Sequence, residues 1–139
     1  MQYFMKLAIV EAQKAAARGS VPIGALVVRD RLLISSAGNE VVKNYDPTAH
    51  AEILAIRRAC SSLKSYIIND CDIYVTLEPC PMCAKAISLA RIRRLYFGAY
   101  DAECGAAFNV LLPKTEIIGG VLEIQCVKIL QNFFSKRRS

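Results

Sequence analysis

Residues 72–98, DIYVTLEPCPMCAKAISLARIRRLYFG, restrict the possible folds more than any other stretch of the chain. The branched and aromatic side chains of DIYVTL favour a strand. Pro81 suits the first turn of a helix over about 80–90, where its missing N–H costs nothing. RRLYFG, at 93–98, resumes a strand pattern. Strand, helix and strand at this spacing make a βαβ unit, so the two strands run parallel with a right-handed crossover. Parallel strands are covered on both faces, and the remaining sequence must provide the cover.

It has the patterns to do so. Residues 3–18 read as an amphipathic helix with Phe4, Leu7, Ala8, Glu11, Ala12 and Ala15 along one face, and Gly19 can stop it. IGALVV and LLISSAG read as strands joined by a turn at Arg29–Arg31, which makes them antiparallel neighbours. The segment from Asn39 to Pro47 is polar and irregular. Asp46 or Thr48 is expected to cap a helix over about 49–63, with Ile53, Leu54, Ile56 and Ala59 facing inward. YDAECGAAFN, at 100–109, is expected to be a loop at the carboxyl end of a strand, where open α/β sheets place ligands. A short strand near 115–118 and a helix from Val121 complete the pattern. The expected fold is one α/β domain over residues 1–139: a mixed sheet of about five strands between two helical layers.

Several classes of protein are set aside by composition. Apolar runs such as IGALVV are far shorter than the ~20 residues of a membrane span. The opening MQYFMKLAIVEAQKAAARG keeps helical spacing through Glu11 and Lys14, unlike a signal peptide. With no export signal, the six cysteines point to a reducing, cytoplasmic compartment and not to a disulfide framework. The net charge of +6 includes Arg91, Arg93 and Arg94, and a terminal Lys136, Arg137 and Arg138, which suits a polyanionic partner.

The chain's one histidine, His50, stands two residues before Glu52 in TAHAEI. Cys80 and Cys83, three apart at a helix start, project to one side. Free N–H groups and the helix dipole there favour thiolates. An N, S, S set leaves a fourth tetrahedral position on zinc, closed in structural sites and open to water in hydrolytic ones. Cys60, Cys71, Cys104 or a carboxylate would have to close it. Cys71 is at the wrong end of its strand, whereas Cys104 lies in the loop expected near the site. Zinc lowers the pKa of water from about 15.7 toward about 7, and Glu52 is placed to take up the proton released. Without that role for Glu52, the same residues describe a non-enzymatic zinc module that binds RNA.

His-x-Glu followed later by Pro-Cys-x-x-Cys resembles the signature of zinc nucleobase deaminases, and through that resemblance the site is recognised. NEVVKNYDPTAHAEI, YVTLEPCPMCAKAI and RIRRLYFGAYDAECGAA together resemble the bacterial tRNA-specific adenosine deaminases, over more than four fifths of the chain. This implies a cytidine-deaminase-like fold and hydrolysis of adenosine to inosine at the wobble position of a tRNA anticodon. It also implies a homodimer with one zinc per subunit and no organic cofactor. TLEPCPMC alone also fits guanine or cytosine deaminases acting on free bases or nucleosides. By the same resemblance His50, Cys80 and Cys83 hold zinc and Glu52 moves protons. The Ala51 N–H and Asn39 side chain hold the base, and the carbonyl of Leu77 or Glu78 receives the departing amine. Asp101 lies by the nucleotide's sugar, Ala99 packs the pocket, and Tyr100, Phe133, Phe134, Lys136, Arg137 and Arg138 meet the anticodon arm. This chain departs from the family pattern in a shorter region after Ala107, without a histidine-containing loop. Glu103 and Cys104 also replace a small polar and basic pair.

Overall fold

The computed structural model describes residues 1–103 and 111–138, with side chains through Lys136. Helix α1 (Gln2–Ala17) leads to strands β1 (Gly24–Arg29) and β2 (Leu32–Gly38), then a short α2 (Val41–Asn44) and α3 (Ala51–Leu63). Next come β3 (Asp72–Leu77), α4 (Pro81–Ala90), β4 (Arg94–Ala99), β5 (Glu116–Ile118) and α5 (Glu123–Arg138). The sheet order is β2-β1-β3-β4-β5. β1 runs antiparallel to β2 and β3, while β3–β4 and β4–β5 are parallel. The expected βαβ unit is therefore β3–α4–β4.

Alternation along the strands builds the three layers. Ala25 and Val27 of β1, Ile73 and Val75 of β3, and Leu95 and Phe97 of β4 join the core under α3 and α4. Their neighbours Leu26, Val28 and Tyr74 point to the other face, where Met5 and Ala8 of α1 and Cys126 of α5 cover them. Small residues let α1 lie very close to the sheet. A Cβ on Gly24 would collide with the backbone of α1 at the Ala8 carbonyl and the Ala12 nitrogen. Across the other face, Ser35 in β2 donates to the Ala55 carbonyl of α3 at 2.7 Å.

Three local expectations change. Residues 41–44 form a helical turn inside the segment read as irregular. Neither Asp46 nor Thr48 caps α3. Asp46 Oδ1 instead accepts from the Thr48 N–H and hydroxyl, at 2.8 and 2.7 Å, and His50 becomes the N-cap. The buried face of α3 is Ala51, Glu52, Ala55, Ile56 and Ala59, with Ile53 and Leu54 only half-buried. Alanines allow close approach to the sheet there, and Leu54 packs against the edge of the core.

Candidate active site

Two helices begin at one point, beyond the carboxyl end of β3. His50 is the N-cap of α3 and Cys80 the N-cap of α4, both with extended backbone. An N-cap side chain ordinarily bonds to its own helix's first N–H groups. Neither does so here, which leaves the imidazole and the thiol available to each other. His50 Nδ1 lies 3.7 Å from Cys80 Sγ and 3.4 Å from Cys83 Sγ. Among the described residues this is the one group of three ligand-type side chains whose donor atoms all fall within 4.8 Å of one another.

The electrostatics of the cluster call for a cation. Cys83 is fully buried, and that burial pushes its thiol well above the ordinary range, with the Glu52 and Cys80 charges adding to the effect. Burial also raises the Glu52 carboxyl to about 7, against the opposing bonds from its own backbone N–H and from Cys83. Glu52 is 4% exposed and its Oε1 has no hydrogen-bond partner among the described residues. Burial thus opposes the thiolate that the helix start favours at Cys83, and without a cation desolvation dominates. A divalent ion held by one imidazole and two sulfurs would supply the missing charge, and this donor set fits zinc. Of the other possible ligands, Cys60 packs against the core and Cys71 Sγ faces Asp70 Oδ1 at 3.6 Å. Cys104 lies outside the described residues.

Around this cluster the remaining candidates separate by position. Ala51, fully buried, opens α3, and its N–H falls in the first turn, where helix donors lack intrahelical acceptors. Asn39 is buried and its Oδ1 accepts from Val41 N–H at 2.9 Å, which leaves Nδ2 to donate. Leu77 ends β3 level with Ala99 at the end of β4, and the Glu78 N–H returns to the Ala99 carbonyl at 2.8 Å. Glu78 Oε1 then accepts from the Asp101 N–H at 2.7 Å, so this buried carboxylate shapes the chain beside the site.

Tyr100 and Phe134 are exposed and line a groove of about 420 Å³ with Ala99, Val127 and Leu130. Phe133 is half-buried and meets Phe134 edge-on at 5.3 Å, so Phe134 is the outward ring of the pair. Lys136 is exposed; Arg137 and Arg138 continue α5, and their side chains lie outside the described residues.

Sequence reasoning missed what holds Asn39. Its carbonyl accepts from Arg18, the C-cap of α1, at 3.1 Å, and its N–H donates to the Ile23 carbonyl at 3.0 Å. The adjoining Glu40 pairs with Arg58 of α3 at 2.9 Å. These partners are 18 and 21 residues apart, with no local pattern to announce them.

Residues 1–99 match the family model of the cytidine and deoxycytidylate deaminase zinc-binding region. The chain is 44% identical to a tRNA-specific adenosine deaminase from Agrobacterium fabrum, over 98% of this chain and 95% of that protein. A solved structure from a study of tRNA deaminases in A-to-I editing at the wobble position is 45% identical, with a TM-score of 0.88. That alignment covers 94% of this chain and all of the other. A guanine deaminase structure from Bacillus subtilis is 39% identical with a TM-score of 0.70, covering 78% of this chain and 69% of its own.

Proposed function

Since this chain belongs to the tRNA-specific adenosine deaminases, within the cytidine and deoxycytidylate deaminase family, we propose that it converts adenosine at the wobble position of a tRNA anticodon to inosine. Water is consumed and ammonia released, so an oxygen ends on C6 where the amine was. The observation that carries this reading is the buried Glu52 carboxylate with a partnerless Oε1, bonded through its other environment to Cys83 beside His50 and Cys80. A purely structural metal would not require such an acid.

His50, Cys80 and Cys83 hold one zinc per subunit, which supplies Lewis acidity and lowers the pKa of water. Glu52 Oε1 accepts one proton from the attacking water and delivers it to the ring nitrogen. It then takes the second proton from the new C6 hydroxyl and delivers it to the amine, which leaves as ammonia with the electrons of the C6–N bond. Asn39 Nδ2 and the Ala51 N–H donate to the base or its ribose. The carbonyl of Leu77 or Glu78 receives the departing amine, and Ala99 closes the pocket by packing. Asp101, positioned by Glu78, accepts from the ribose 2′-hydroxyl, a group that distinguishes RNA. Tyr100 and Phe134 offer ring faces to the anticodon arm, Phe133 supports them, and Lys136, Arg137 and Arg138 meet phosphates.

The same reading places one domain over residues 1–139 in the cytoplasm, working as a homodimer. Five cysteines without disulfides among the described residues support a reducing compartment. An open groove of about 1080 Å³ across α3 and α4, flanked by exposed Leu89 and Tyr66, supports pairing of two copies. No helix among the described residues is long and apolar enough to cross a membrane.

The decisive experiment incubates zinc-loaded protein with an anticodon stem-loop carrying adenosine at its first anticodon position. Inosine should form, and Glu52→Gln should form none. The likeness to a guanine deaminase makes free guanine and cytosine the necessary parallel substrates. Turnover of either without turnover of the stem-loop would replace the RNA reading.

A further inference from the structure

The loop from Glu40 to Ala49 is closed at its base and braced by hydrogen bonds within it. The Glu40 N–H donates to the Ala49 carbonyl at 3.0 Å, so the loop leaves the core after Asn39 and returns to it at His50. Both of its acids are occupied. Glu40 is taken by Arg58 and Asn44, at 2.9 and 3.1 Å, and Asp46 by Thr48. Its outward surface is Val42, Lys43, Asn44 and Tyr45, all exposed. Tyr45 is 96% exposed, more than any other large apolar side chain among the described residues. Its backbone sits in the left-handed region at φ 49°, an uncommon place for a ring-bearing residue. The Asp46 N–H bond to the Val41 carbonyl at 3.1 Å holds the turn in that shape.

A tyrosine in open water contributes nothing to the core, yet this one is mounted on a braced turn. Such mounting reduces the entropy lost when a partner binds. Tyr45 precedes His50 by five residues, so its backbone lies at most about 18 Å from the ligand. Resting on the RNA reading above, we infer that Tyr45 is a stacking platform for a nucleobase neighbouring the target adenosine. Lys43, on the same tip, meets the adjoining phosphate. Every base has a π-face, so a platform of this kind grips unpaired nucleotides without reading their sequence. Anticodon nucleotides beside an extruded base are unstacked and available to it. This surface is separate from the Tyr100–Phe134 groove, which is formed by the end of β4 and α5.

The test measures binding of the anticodon stem-loop by fluorescence anisotropy at fixed salt, apart from inosine formation. Tyr45→Ala should weaken binding by about tenfold or more, in the range of a lost base stack, whereas Tyr45→Phe should bind like the parent. Stem-loops with one abasic nucleotide at each position flanking the adenosine then locate the partner. At one position the abasic change should cost the parent protein affinity and cost Tyr45→Ala almost nothing more. Unchanged affinity in Tyr45→Ala would overturn the inference, as would penalties that add independently at every position. A loss in Tyr45→Phe equal to that in Tyr45→Ala would also overturn it, since a hydroxyl contact would then be responsible. A shift in oligomeric mass without a change in RNA affinity would assign the ring to a protein interface instead. Binding that depends on Tyr45 in a protein forming no inosine would leave this inference standing and sink the deaminase reading alone.

Discussion

Replacing Glu52 by glutamine should stabilise the metal-free protein while abolishing its activity. The carboxyl is buried with Oε1 unpartnered, and burial raises it to about 7 from an ordinary 4.5. The folded state therefore retains a proton through a window in which the unfolded chain has released it. Glu52's stabilising contribution is fully present below about pH 4.5 and is lost as pH rises through about 7. Holding that proton from 4.5 up to about 7, at 1.36 kcal/mol for each tenfold change in proton affinity, amounts to about 3 kcal/mol. Glutamine keeps the shape of the neutral acid and has no proton to lose. Cys83, raised further by burial, stays protonated and does not contribute to the slope. Urea unfolding of zinc-stripped protein should thus show little difference between the two proteins near pH 4.5. By pH 8 the variant should lead by about 3 kcal/mol. Zinc favours the ionised carboxylate, so loading the metal should narrow that gap. Equal unfolding midpoints at pH 8, or a gap independent of pH, would refute the assignment of Glu52 as a desolvated, uncompensated acid.

Replacing His50 or Cys83 by alanine should reduce the zinc content of purified protein from one per chain to a small fraction, measurable by elemental analysis. Gly24→Ala places a methyl group against the backbone of α1, where no side chain can rotate away; a loss of about 3 kcal/mol in unfolding free energy is expected, at the upper end for overpacking. Alanine at Lys136, Arg137 and Arg138 together should weaken stem-loop binding, flatten its salt dependence by about 0.7 in logarithmic slope per lost phosphate contact, and leave zinc content unchanged.

The sheet was legible because its signals are local. IGALVV, DIYVTL and RRLYFG carry the apolar and branched content of buried strands, and the short Arg29–Arg31 connection dictated a hairpin. Its turn uses Asp30 and Arg31 at φ 50° and 64°, the positive values a two-residue hairpin demands. The metal cluster was legible for a related reason: each ligand stands at the start of a helix, and Pro81 marks one start. What escaped the sequence depends on contacts made only after folding. The α3 cap passed from Asp46 to His50 because Asp46 found Thr48 nearer. The brace from Arg18 and Arg58 onto Asn39 and Glu40 joins three elements distant in sequence. Helical spacing could not rank Phe133 against Phe134, whereas packing against the rest of the fold turns Phe134 outward.

Placing all three donors at the beginnings of α3 and α4 has a mechanical consequence. An ion there pins together two rods that touch the sheet independently, joining segments 30 to 33 residues apart along the chain. Because the donors come together only when both helices are in place, the free energy of ion binding adds directly to the stability of the folded chain. The layer of α1 and α5 on the opposite side takes no part in this tether. The two sides of one small sheet therefore differ in what secures them: side-chain packing on one, and packing reinforced by coordination on the other.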